Sequence, residues 1–535
     1  MLAVRPGRAP EHGLVSRLPV RLSSLVVRAF APSAERSGPI LVGALSFAYF
    51  ISFPLAIGSA DESHLLYGAK RILQGEVIYK DFFEAITPLS FYLFAGLYRI
   101  AGTTLLTARV GMAVINAFGC ALLFHLVRRM SGVLEGTLVV LIFAGICVPT
   151  WPYASAHWIS TTLSLLVASV TLHEPWQRST RARPLAAGML AAVALCVQQQ
   201  RGVFLAAWLP LALWVLARSH PRGRRWRTLG REIVWAGAGG AIVTLVILGH
   251  AAWASSPAAM VDALYRYPVT SYGPKFGGNF WGAVFPLTQV WAASTWLWLV
   301  RISPLFLLGE PLLLLRRGSR PRDRRDLERV CLWLLGVLMA LSIWYLPDFI
   351  HVSFVLPFLL IPGASLLHRL RTSPVWSRVP GGRAAVAVGM WALGLAIAGK
   401  GAANLAYAHA VAPARFETGF GSLRGTEEMA RLFRAVRRHL VREPDGRTLL
   451  YSYPDDAWLY LALPADDATR FSILAEGYFP PEFIQEMFGA LDVRRPGTIV
   501  LRLPFSTESV RRAIEKGYDA VEETGQHRIY VRRET

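Results

Sequence analysis

The sequence predicts an α-helical polytopic membrane protein with a small extracytoplasmic α/β domain at its C-terminal end. Three observations predict this. Apolar runs of the length needed to cross a bilayer recur up to about residue 404. Arginines gather in alternate loops between those runs. Beyond residue 405 the pattern changes to short amphipathic and β-rich segments. The chain therefore divides into a cytoplasmic arm (1–38), a transmembrane module (39–404) and a tail domain (405–535).

Of the 535 residues, 53% are hydrophobic and 17% charged. A soluble domain carries about 25% charged residues. The net charge of +21 does not indicate nucleic acid, because the arginines lie in short clusters between apolar runs and not on one soluble face. The four cysteines, Cys120, Cys147, Cys196 and Cys331, all sit inside apolar runs at no metal-ligand spacing. The arginine-rich start precedes a long apolar run without a cleavage motif, which reads as a retained first span and not a signal peptide.

Candidate spans are 39–57, 104–127, 131–149, 158–174, 184–199, 202–217, 232–253, 296–315, 329–346, 350–368 and 383–403, about eleven in all. The pair at 184–217 turns over tightly at Gln198-Gln199-Gln200-Arg201-Gly202. Positive loops, such as 218–231 and 316–329, place the N-terminus in the cytoplasm, and an odd number of crossings then places the tail outside. Two further apolar stretches, 88–101 and 279–295, would invert the charge pattern if they crossed. They read as helices lying in the outer interface. In the tail, helices are expected near 425–441, 480–491 and 506–518, and strands at 448–453, 498–503 and 528–532.

The first outer loop holds the densest chemistry: Asp61-Glu62-Ser63-His64, then Tyr67, Arg71 and Gly75, then Tyr79-Lys80-Asp81-Phe82-Phe83-Glu84 and Thr87-Pro88-Leu89. Acids at this place either end a helix at the interface or act as a general base, since a partly desolvated carboxylate has a raised pKa and accepts a proton from a hydroxyl. Tyr79, Lys80 and Asp81 add polar groups to the same concave region. Other outer-facing polar residues cluster at span ends: His157, Gln199, Arg201, His250, Arg266, Lys275, and Asp348 with His351. Singly, each suits an interfacial structural role. Together they suit an anionic lipid-linked phosphate. Asp348 and His351 share a helix face. Glu310, inside the eighth run, reads as structural. Phosphate-binding loops of the nucleotide-binding kinds are absent from the sequence.

These residues resemble a known group. Asp61-Glu62 after the first span is similar to the acidic motif of the GT-C glycosyltransferases. Gly75…Tyr79-Lys80-Asp81-Phe82…Pro88-Leu89 resembles the bacterial branch related to protein O-mannosyltransferases and the lipid A aminoarabinose transferase. The Gln199–Gly202 turn, Pro347-Asp348…His351…Pro357, Tyr453-Pro454…Tyr460 and Glu476-Gly477-Tyr478 also look like that branch. Two positions depart from it: the lysine of the polar turn is Gln or Arg here, and an arginine before Asp348 is missing. The resemblance implies a polyprenyl-phosphate sugar donor, a lipid or glycan acceptor, work on the outer face of a bacterial inner membrane, and inversion at the anomeric carbon with Asp61 as base. Glu62 is expected to orient the acceptor or a metal. No cofactor is required by the sequence, and a divalent metal stays open. The rival readings are a transporter or flippase for a lipid-linked glycan and a non-catalytic membrane scaffold. The lack of internal repeats weighs against the first.

Overall fold

The computed structural model describes residues 34–57, 60–173, 181–272, 302–309, 311, 323–344, 346, 348–477 and 479–534. The helices of the membrane module are α1 (Ala34–Ile51), α2 (Ala60–Leu73), α3 (Leu89–Ala101), α4 (Leu105–Ser131), α5 (Val133–Thr150), α6 (Ala156–Leu172), α7 (Ala182–Val197), α8 (Gln199–Ala217), α9 (Arg222–Ala254), α10 (Arg324–Leu341), α11 (Phe349–Arg371) and α12 (Gly382–Ala410). Six of the described helices are long and apolar enough to cross a membrane, and α1, α6 and α7 are shorter apolar helices. The expected spans thus return as helices at nearly the same bounds. The candidate at 296–315 is described only in part, the stretch at 279–295 lies outside the described residues, and so do Lys275 and Glu310.

Burial sorts the helices by place. In α11, 72% of the most apolar window is buried, against 17% in α9 and 22% in α12. α11 is therefore central, while α9 and α12 present apolar flanks outward, as lipid contact requires. Small residues set the tightest contact. A side chain at Gly188 of α7 would overlap the Ala236 carbonyl of α9, and one at Gly239 would overlap the Leu185 carbonyl. Two backbones approach this closely only where no Cβ intervenes. The loop arginines that signalled topology have a second task. Arg129 donates to both oxygens of buried Glu328 at 2.9 Å, Arg371 donates to buried Glu135 at 2.8 Å, and Arg183 pairs with Glu232.

α1 stops at Ile51, and the chain runs irregularly to Ile57 before α2 begins. Asp61 and Glu62 therefore open a second helix and do not close the first span, which corrects the expectation. The negative side chains sit where the helix dipole favours them. The predicted interfacial helix is α3, which packs Phe91 and Phe94, both fully buried, against its neighbours.

The tail comprises β1 (Ala414–Thr418), β2 (Gly421–Gly425), α13 (Glu427–Arg438), β3 (Leu449–Tyr453), α14 (Trp458–Ala462), β4 (Asp466–Asp467), α15 (Pro481–Arg494), β5 (Thr498–Arg502), α16 (Glu508–Glu515), β6 (Tyr518–Thr524) and β7 (His527–Arg532). β1 and β2 form a hairpin, and the five-stranded sheet runs β4-β3-β5-β7-β6, parallel across β4-β3-β5 and antiparallel across β5-β7-β6. The hairpin, β4 and β6 were not anticipated. β6 is an acidic edge strand without apolar alternation, so its sequence reads as the end of a helix, and Tyr518 belongs to the strand.

The tail also shares a core with the first loop. Tyr67 of α2 stacks on Tyr460 with ring centroids 4.8 Å apart, and its hydroxyl accepts the Asp467 N–H at 2.9 Å. Lys70 donates to the Tyr460 carbonyl at 2.7 Å, and the Phe83 N–H donates to the Arg470 carbonyl at 3.0 Å. The tail has its own sheet core, yet one side of it is completed by α2. At this seam burial pushes the Asp467 carboxyl up to about 7 against the pull of Arg71. An acid raised in the fold is penalised as pH climbs from its unfolded value through its folded one, and the penalty is complete above the latter. Asp467→Asn keeps the acceptor for the Thr469 N–H and removes the charge. Thermal scans should show the variant melting higher than the parent at pH about 8, with the gap closing as the pH falls toward about 4; a gap that is independent of pH would refute this.

Candidate functional site

The two adjacent acids at the start of α2 have opposite surroundings. The Glu62 side chain is fully buried: it receives Arg109 at 2.9 Å and the Ala154 N–H at 2.7 Å. Arg109, in the first turns of α4, also donates to the Ala56 carbonyl at 2.7 Å and to the Pro152 carbonyl, and its guanidinium lies 5.2 Å from the Tyr153 ring centroid. One cation thus ties together the chain before α2, the first turn of α2 and the turn between α5 and α6. A buried carboxylate persists only when paired in this way. Glu62 consequently holds the scaffold and does not face an acceptor or a metal, which corrects the expectation made for it.

Asp61 is different. Its carboxylate is accessible, and among the described residues no hydrogen bond or ion pair engages it. It is at the same time closely surrounded by protein, so it sits at a cleft in the surface. Burial raises its pKa, while His64 and His351 act in the opposite direction and Asp348 adds to the rise. Those three residues therefore lie within electrostatic reach of Asp61.

α11 delivers two of them. Asp348 caps the helix, accepting the His351 N–H at 2.8 Å and the His351 ring Nδ1 at 2.8 Å. His351 meets His157 edge-on, with centroids 5.2 Å apart, and His157 stacks on Phe354 at 4.5 Å. Gln198, in the break between α7 and α8, lies 2.7 Å from His157 Nδ1 and accepts from Ser160 at 2.9 Å. The break is tight because Gly202 backs directly onto Leu195. The predicted His157, Asp348 and His351 are thus brought to one place, near Asp61.

The remaining candidates separate. Arg201 is 1% exposed; it donates to the His157 carbonyl at 2.8 Å and the Thr161 hydroxyl at 2.7 Å, with its guanidinium 5.3 Å from the Phe354 ring centroid. It braces the floor of the cluster instead of standing open to a phosphate, contrary to expectation. Gln199 holds the first loop, donating to the Ala85 carbonyl at 2.7 Å and accepting the Thr87 N–H at 3.1 Å. Tyr79 donates to the Ile86 carbonyl at 2.8 Å, and the Asp81 carboxylate accepts the Val77 N–H at 2.8 Å, so both lock the loop's own turn. Lys80 is exposed. Arg266 is exposed and sits 3.7 Å from Asp262. Its neighbour Tyr267 packs between Phe83 of the first loop and Phe479 of the tail, at 5.3 and 5.4 Å between centroids. Among the described residues no three His, Cys, Asp or Glu side chains come together to hold a metal ion, so the divalent ion left open by the sequence finds no donor set there.

Arg109 and Phe354 are not among the residues the sequence singles out, and Gln198 is there only as part of the tight turn. Arg109 carried a signal: it is a lone cation inside an apolar run, where a charge demands a partner. Phe354 carried none, being one aromatic among many.

No family model matches the chain, and no curated protein matches it in sequence. Solved structures do match in shape. ArnT from Cupriavidus metallidurans bound to undecaprenyl phosphate superposes with a TM-score of 0.57 at 14% identity, covering 94% of this chain and 98% of that one. The chain has the GT-C fold. The Archaeoglobus fulgidus oligosaccharyltransferase AglB, in complex with an inhibitory peptide and a dolichol-phosphate, superposes with a TM-score of 0.54 at 13% identity, covering 94% of this chain and 75% of that one. The same archaeal enzyme in complex with Zn and sulfate gives a TM-score of 0.54 at 12% identity, over 92% of this chain and 73% of that one.

The Arg109–Glu62 pair yields a test of this GT-C scaffold. Arg109→Met leaves a fully buried carboxylate without its cation, which should cost about 3–5 kcal/mol. Glu62→Gln keeps an acceptor for the Ala154 N–H and should cost less. Denaturation of the detergent-solubilised variants measures both, and equal losses would contradict the arrangement.

Proposed function

We propose that this protein is a membrane glycosyltransferase that moves a sugar from a polyprenyl-phosphate donor to an acceptor hydroxyl, with inversion, on the outer face of a bacterial inner membrane. The observation that carries the reading is the contrast at the start of α2: Glu62 is wholly consumed by Arg109 and Ala154, while Asp61 stays unengaged among the described residues in a cleft edged by imidazoles. The GT-C fold supports it, as do the lipid phosphates held by two structures of that fold. The same likeness favours transfer over the flippase and scaffold readings.

In this reading the acceptor O–H gives its proton to the Asp61 carboxylate as its oxygen forms a bond to the sugar C1. The bond from C1 to the phosphate oxygen breaks from the opposite face, and polyprenyl phosphate leaves as the anion. Asp61 must be ionised to begin, and the nearby His64 and His351 oppose the cost of burying its charge. Arg266 is the exposed arginine of the predicted set, and it is carried on a segment packed against the first loop, where it suits the phosphate of the donor. The N-terminus lies in the cytoplasm and the tail outside.

Asp61→Asn is nearly isosteric and cannot take the proton. In membranes supplied with a polyprenyl-phosphate sugar, it should insert normally and lose about 10²–10⁴ in rate. Full transfer by the variant would remove the base and the mechanism with it.

A further inference from the structure

His64 lies three residues after Asp61 on α2, so the two side chains occupy one face of the helix. Both of its ring nitrogens are engaged. Nε2 is 2.8 Å from the Glu84 carboxylate, and Nδ1 is 2.6 Å from the Ser472 hydroxyl. Glu84 belongs to the first loop and is 98% removed from solvent contact by its 2% side-chain exposure. Ser472 belongs to the tail and is itself buried. The ring therefore joins three parts of the chain: the helix of the candidate base, the first loop and the tail.

The groups facing His64 are few. Asp61 and Arg71 come from α2, Glu84 from the first loop, Ser472 from the tail, and Phe91 of α3 meets the ring edge-on at 6.4 Å. The Ser472 hydroxyl can accept from a charged ring or donate to a neutral one, so it is the buried Glu84 carboxylate at 2.8 Å that favours the imidazolium form. Burial, which on its own lowers an imidazole, is outweighed by Glu84 and Asp61, and the ring is held above its ordinary range despite Arg71. His351 and Asp348 of α11 also lie within electrostatic reach of Asp61.

We propose that His64, charged by Glu84 and oriented by Ser472 of the tail, is a positioning residue that keeps Asp61 ionised. The catalytic consequence rests on the transferase reading above, but the electrostatic core does not. An opposite charge within about 4–6 Å lowers a carboxyl by about 1–3 pH units, and removal of the His64 charge should return that amount. The tail then contributes to the chemistry without touching the reacting atoms.

The test reads Asp61 directly. Dicyclohexylcarbodiimide modifies protonated carboxyls, and mass spectrometry of the full-length protein in detergent gives the pH at which half of Asp61 is modified. In His64→Gln and in Glu84→Gln this midpoint should rise by about 1–3 pH units. In Ser472→Ala, which leaves the His64–Glu84 pair in place, it should rise less. An unchanged midpoint in both His64→Gln and Glu84→Gln, in protein that elutes as the parent does, overturns the proposal. In the transfer assay the acid limb of the rate profile should move upward by the same amount in each variant, with the plateau rate at high pH retained in Ser472→Ala. A shifted labelling midpoint combined with full transfer by Asp61→Asn would leave this inference standing and discard the transferase reading.

Discussion

A carboxylate cannot stay charged in a protein interior unless a cation and hydrogen-bond donors meet it there. Glu62 meets that condition through Arg109 and the Ala154 N–H, and the candidate site follows from it. The pair fixes the first turn of α2 against α4 and against the turn leading into α6. With the helix anchored through one acid, the adjacent acid is turned roughly a quarter of a helical turn away, toward the cleft. α11 then arrives from the other side with Asp348 and His351 already fastened to each other. The cleft is thus walled by groups whose positions are set by bonds outside it, which is what a preorganised site requires.

The tail is part of this arrangement and not an appendage. Its Tyr460 stacks on Tyr67 of the same helix that carries Asp61, and its Phe479 stacks on Tyr267 at 5.4 Å. Aromatic contacts of this kind combine large buried area with defined geometry. The segment bearing Arg266 is therefore seated against the tail and the first loop together, through Phe83. Three stretches remote in sequence share one apolar seam beside the cleft.

Much of this was legible in the sequence, and the reasons differ from element to element. The candidate span 350–368 returns as Phe349–Arg371 because an apolar run opened by the Asp348 cap and closed by arginines has few other solutions in a bilayer. The glutamine-rich turn returns as the break at Gln198. The convergence of His157, Asp348 and His351 followed from their placing at one membrane depth. That Glu62 is taken up by the scaffold could not be read, because the residue that engages it, Arg109, lies 47 positions away. Arg201 looked like an open cation, since sequence does not reveal that hydroxyls and a carbonyl one helix away will surround it. β6 escaped because an edge strand covered with acids lacks the alternation by which strands are recognised.

The glycine contacts between α7 and α9 have a mechanical meaning. Where Gly188 and Gly239 bring backbone against backbone, no side chain is left to change rotamer and absorb a shift. The two helices form a rail that neither rolls nor slides without losing its contact. Gly202 extends that stiffness around the corner into α8, since it rests directly on Leu195 of α7. α11, by contrast, holds Pro357 and Pro362 within one helix, each removing a backbone donor from the ladder. The α7–α9 pair is therefore the stiffest contact of the module, whereas α11, and α8 through Pro210, have interrupted backbone ladders.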